Sequence, residues 1–93
     1  MKYYIYILQT EDRTYYTGLT KDLDARIALH NQGRGARYTR GRLPVELVYY
    51  EEAKDFKSAT QREIKIKSLS RREKEGLITK FRKHQNLDKS HNG

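Results

Sequence analysis

The sequence predicts a small α+β domain: a three-stranded, mostly antiparallel sheet with helices packed beside it, in the order β-β-α-β-α-α. Three observations carry that expectation. Residues 3–8, YYIYIL, are β-branched and aromatic with two fairly apolar period-two faces, as a central strand requires. Two later stretches, 22–30 and 56–69, space their apolar residues as helices do. At 93 residues, with 35% hydrophobic against 34% charged, there is material for one economical core and no second.

In the first strand Tyr4, Tyr6 and Leu8 share one face, and Tyr3, Ile5 and Ile7 the other. TEDRT at 10–14 reads as a turn, and YYTGLT at 15–20 returns as a second strand. Tyr6 and Tyr16 lie on one face beside Gly18 if the register is even, which the sequence leaves open. Asp22 is placed to cap the helix DLDARIALH, whose end falls near Gly33, a residue free to turn left-handed.

Residues 33–44, GRGARYTRGRLP, hold three glycines, four arginines and a proline without a period, and read as a loop. VELVYY at 45–50 is a third strand with Val45, Leu47 and Tyr49 on one face. A second long helix runs from Phe56 to Leu69, with Phe56, Ala59 and Ile66 as its apolar stripe. Ser70 to Glu73 has the form of a capping box and opens a short helix carrying Leu77, Ile78 and Phe81. The domain is expected over 1–82, with a disordered polar tail over 83–93.

The net charge is +8, unevenly placed. Residues 1–32 balance four Lys/Arg against four Asp/Glu, and 45–69 balance five against five. The excess sits in 33–44, which has four bases and no acid, and in 70–93, which has seven bases against three acids. Such clustering points to a polyanionic partner. The absence of cysteine excludes disulfides and thiolate metal sites. The apolar start is shorter than a signal-peptide core, and no stretch approaches the ~20 residues of a membrane span. A cytoplasmic protein without membrane contact is expected.

Polar residues in apolar positions carry the functional reading. Leu23 and Ile27 mark the inward face of the first helix, and Arg26 and His30 fall on it too. Glu63 falls within the stripe of the second helix, where a lone carboxylate is costly unless paired or bound to a metal. Phosphodiester cleavage needs an activated water, a positive group for the pentacovalent phosphate, and usually a divalent metal. Arg26 suits the phosphate oxygens and Glu63 is a hard oxygen ligand for one Mg²⁺ or Mn²⁺. Tyr6, Tyr16 and His30 are candidates to orient or deprotonate the water, and a tyrosine base needs its pKa pulled well below ~10. Each also has an ordinary reading: the tyrosines as sheet residues, Arg26 and His30 as a cap or an exposed pair if the helix face is turned by about 40°, and Glu63 as the i,i+4 partner of Lys67.

YIY at Tyr4–Tyr6, YTG at Tyr16–Gly18, and Arg26, His30 and Glu63 downstream resemble the GIY-YIG nuclease domain, over roughly Lys2 to Leu77. LxxRxxxHNxG from Leu23 to Gly33 and YTRGRLPVELVYYEE from Tyr38 to Glu52 look like its small stand-alone bacterial branch. The resemblance implies a three-stranded antiparallel sheet flanked by helices, with Tyr6 and Tyr16 as the two motif tyrosines and Gly18 as the closing glycine. It implies Arg26 as the catalytic arginine, Glu63 as the metal-binding glutamate, and His30 in the position of a histidine or tyrosine one turn after that arginine. Tyr4 replaces the first motif glycine, and Thr17 stands where isoleucine or valine is usual.

The expected function is a divalent-metal-dependent nuclease acting on DNA, in repair or recombination. Most relatives fuse the module to a DNA-binding domain, so affinity here is expected from Arg34, Arg37, Arg40, Arg42 and Lys67, from the C-terminal lysines, or from a larger repair protein. RNA stays open as a substrate, because nothing reads a 2′-hydroxyl by motif. The rival expectation is a nucleic-acid-binding module that keeps the scaffold without turnover.

Overall fold

The sheet has β1 (Tyr3–Gln9) at its centre, with β2 (Tyr15–Thr20) and β3 (Glu46–Ala53) antiparallel on either side, in the order β2-β1-β3. Around it lie α1 (Leu23–Asn31), α2 (Arg37–Arg40), α3 (Phe56–Ser68) and α4 (Arg71–Asn92). The computed structural model describes residues 2–92, and of 86–92 the backbone only. The predicted α+β class and antiparallel sheet are borne out. One element is added, since the short helix α2 interrupts the arginine-rich segment predicted to be loop.

Both faces of β1 are covered, which is why both are apolar. Ile5 and Ile7 pack with Val48, Ala59, Ile66 and Ile78 on the side of α3 and α4. Tyr6 and Leu8 pack with Val45 on the other side, where Leu23 and Ile27 of α1 lean against them. The β1–β2 register pairs Tyr6 with Gly18 and Leu8 with Tyr16, which puts both tyrosines on the α1 side.

The face assignment of the third strand needs correction. A shift in the β1–β3 register pairs Ile7 with Tyr49 but Leu8 with Leu47, leaving Val48 extra. Such a bulge breaks the alternation of side chains. Val45 and Leu47 stay on the α1 side, whereas Val48 and Tyr49 both turn to α3 and α4.

The helix ends follow local chemistry. Asp22 caps α1 by accepting from Ala25 N–H at 3.1 Å, and Gly33 takes φ +74 after its end. Ser70 and Glu73 form the reciprocal capping box: Ser70 N–H donates to the Glu73 carboxylate at 3.0 Å, and Glu73 N–H to Ser70 Oγ at 3.2 Å. Phe56 lies at the exposed start of α3, 59% exposed, with its ring against Tyr3 at 5.7 Å. Past Lys83 the backbone of α4 stays helical to Asn92, where the sequence predicts a tail. No proline or glycine interrupts residues 77–92, so nothing local stops the helix. No helix of the described residues is long and apolar enough to cross a membrane.

Candidate active site

The site is built where α1 and α2 meet β1 and β2. Tyr6 is 2% exposed and His30 1%, and the Tyr6 hydroxyl lies 3.0 Å from His30 Nε2. The other ring nitrogen, Nδ1, is 2.8 Å from the hydroxyl of Thr39, which is fully buried on α2. Tyr16, half-buried, sets its ring 5.2 Å from that of His30 and 6.4 Å from that of Tyr6. Two glycines make the packing possible. A Cβ on Gly18 would overlap the Tyr6 ring and hydroxyl, and one on Gly35 would overlap the His30 ring.

Electrostatics link Arg26 and Glu63 to this pair. Burial holds the Tyr6 phenol above the ordinary tyrosine range, the Tyr16 side adds to it, Arg26 pulls it down and Glu63 pushes it further up. Burial, then the positive charge of Arg26, keeps the His30 imidazole below its usual value, so it is neutral near pH 7. The requirement for a tyrosine pKa far below normal is therefore not met at Tyr6 by its own surroundings. Arg26 itself is exposed rather than on the inward face. The long Arg26 side chain keeps its guanidinium in water, while His30, one turn further along α1, goes inward.

Glu63 is half-buried, its side chain 19% exposed, and it pairs with Lys67 at 3.3 Å. Among the described residues no three His, Cys, Asp or Glu side chains gather as a metal cage. One carboxylate still suits Mg²⁺ or Mn²⁺, since Mg²⁺ binds through one or two carboxylates and takes its other ligands from water and substrate phosphate.

Lys67 reaches a groove of about 290 Å³ that it lines with Tyr15, Tyr16, Thr17, Tyr38 and Lys74. Thr17 Oγ1 is buried there with no hydrogen-bond partner among the described residues. Arg34, Arg37 and Arg40 are exposed and make no ion pair among the described residues. Arg42 differs. It donates to Asp12 at 3.1 Å and to the Tyr38 carbonyl at 2.8 Å, and its guanidinium covers the Tyr38 ring at 4.1 Å.

The GIY-YIG catalytic domain matches residues 2–76, most of the chain. This chain belongs to the GIY-YIG family. Within that family it is 51% identical over 76 residues to a UPF0213 protein of Natronomonas pharaonis, covering 82% of this chain and 89% of that one. It is 48% identical over 90 residues to a UPF0213 protein of Clostridium perfringens, covering 96% and 97%. The solution NMR structure of a UPF0213 protein from Bacillus halodurans is similar, with TM-score 0.56, 46% identity and 85% and 84% of the two chains covered. So is that of a protein from E. faecalis, with TM-score 0.61, 33% identity and 88% of each chain covered. The GIY-YIG module thus gives this chain its sheet, and both tyrosine half-motifs converge on His30.

Sequence reasoning missed Thr39, Gly35 and the commitment of Arg42. The first two lie in the segment read as loop, and each matters only through a contact with His30. For Thr39 the one sequence signal is YTRGR at 38–42, legible as part of the family resemblance and not as chemistry; Gly35 lies in neither of the stretches that carry the resemblance.

Proposed function

We propose that this chain is a divalent-metal-dependent nuclease that hydrolyses phosphodiester bonds in DNA, with a place in repair or recombination. The observation that carries the reading is the buried hydrogen bond between Tyr6 and His30, with Tyr16 against both rings and the charges of Arg26 and Glu63 acting on it. Family membership supports the reaction class.

Water attacks phosphorus in line with the departing oxygen. Tyr6 takes the water proton as its own passes to Nε2 of His30, so a buried phenolate never has to persist. Tyr16 packs against both rings and orients the attacking side. Arg26, exposed on α1, places its fork of N–H donors on the phosphate oxygens as negative charge builds there. Glu63 would hold one Mg²⁺ or Mn²⁺, and that ion would supply Lewis-acid stabilisation of the charge on the departing oxygen. Arg34, Arg37, Arg40 and Lys67 supply affinity for the backbone.

The burial of Tyr6 also favours a second reading, a nucleic-acid-binding module that keeps the scaffold without turnover. Labelled single-stranded, duplex, flap and four-way-junction DNA with Mg²⁺, Mn²⁺ or EDTA separates the two. Metal-dependent cutting by the wild type, lost in Glu63→Gln while binding persists, is expected. Binding without cutting by either protein would move the assignment to the binding module. Undiminished cutting by the variant would remove Glu63 from metal binding.

A further inference from the structure

We propose that Thr39 is a positioning residue that fixes the tautomer of His30, and that the α2 segment is strapped to the β1–β2 turn to hold it there. The consequence for turnover rests on the nuclease reading; the geometry does not.

Three buried polar groups must share few protons. The Tyr6 hydroxyl has one proton, neutral His30 has one ring proton, and the Thr39 hydroxyl has one. The contacts form a chain: Tyr6 Oη to Nε2 at 3.0 Å, Nδ1 to Thr39 Oγ1 at 2.8 Å, and Thr39 Oγ1 to the Ala36 carbonyl at 3.0 Å. A carbonyl only accepts, so Thr39 donates to Ala36 and accepts from His30. Nδ1 therefore carries the hydrogen, and Nε2 is bare and accepts from Tyr6. In the opposite sense Nε2–H would point at the Tyr6 oxygen and leave the Tyr6 proton without an acceptor among the described residues. Burying an unpaired donor is costly. One direction satisfies every member.

The direction is the one the reaction needs. A bare Nε2 facing the tyrosine can receive its proton, whereas a protonated Nε2 cannot. Gly35 lets the backbone lie against the His30 ring. The strap holds Thr39 from the other side: Glu11 N–H donates to the Arg42 carbonyl at 3.0 Å, Arg42 N–H to the Thr39 carbonyl at 3.0 Å, and the Arg42 guanidinium to Asp12 at 3.1 Å.

The test is ¹⁵N NMR of the imidazole rings in the full chain, with His30 assigned by comparison with His30→Gln. Wild type is expected to show a protonated Nδ1 and a bare Nε2. Thr39→Ser should restore that pattern, and Thr39→Val should lose it for the other tautomer or a mixture. Cleavage by Thr39→Val should fall about 10- to 100-fold, part of what a positioned proton acceptor contributes. A protonated Nε2 in the wild type would overturn the proposal, and so would Thr39→Val with the wild-type pattern. If Thr39→Val does not fold, Thr39→Ala, which also removes the hydroxyl, takes its place in the same comparison and is expected to lose the wild-type pattern. Because the spectrum needs no turnover, absent cleavage would sink the nuclease reading and leave the tautomer assignment standing.

Discussion

Gly18 lies directly across the β1–β2 ladder from Tyr6, and the Tyr6 ring packs on its bare Cα. The closing glycine of the second half-motif therefore makes room for the tyrosine of the first. Gly18→Ala must push the ring aside, and with it the hydroxyl that reaches His30 at 3.0 Å. Overpacking of this kind costs about 1–3 kcal/mol. Thermal melting should show that loss, and cleavage should fall further than the lost stability explains. A variant that melts and cuts like the wild type would show that the ring has another place to go.

The four arginines of residues 33–44 should not behave alike. Arg34, Arg37 and Arg40 are exposed, whereas Arg42 is tied to Asp12 and Tyr38. Replacing each of the first three by Gln should make the log-log salt dependence of duplex binding shallower by about 0.9 for every phosphate that is no longer neutralised. Arg42→Gln should leave that slope near the wild-type value and lower the melting temperature instead. Equal slope changes in all four would show that Arg42 leaves Asp12 to meet the backbone.

What was legible in the sequence was what neighbours in the chain decide. The central strand announced itself through two apolar faces, the hairpin through TEDRT, and the helix starts through Asp22 and the Ser70–Glu73 box. The bulge at Val48 was not legible, because it depends on how two distant strands fit. Nor was the role of Arg42, whose partner Asp12 lies 30 residues away. Thr39 shows the limit for the site itself: four residues of helix are too few for a period, and a buried threonine has no signature until the histidine it faces is in place.

The neutral His30 carries a sign for acid stability. Its folded pKa is lowered from 6.5, first by burial and then by Arg26. Between the lowered value and 6.5 the unfolded chain binds a proton that the folded chain refuses, so stability falls as pH drops through that window. Above 6.5 the effect vanishes. Denaturant melts of wild type and His30→Gln from pH 8 to 5 should converge toward the acid end, because the variant lacks this loss. Parallel curves would mean that His30 protonates as readily folded as unfolded.

Asn31, next to His30, closes the end of α1 onto the start of β3. Its side chain accepts from Val45 N–H at 2.8 Å and donates to the Val45 carbonyl at 3.2 Å, as a ladder partner would. Val45 is buried, so both backbone groups need these bonds. Asn31→Ala removes both and should cost about 1–3 kcal/mol. In a domain of this size each kcal/mol lowers the melting temperature by about 4–8 °C. Asn31→Asp keeps the acceptor for Val45 N–H but turns a carboxylate oxygen toward the Val45 carbonyl. It should therefore be at least as destabilised as the alanine variant at neutral pH and recover somewhat as the carboxyl protonates. If both variants melt with the wild type, the start of β3 is held by the packing of Val45 against Tyr6 and Leu8, and the Asn31 bonds add nothing.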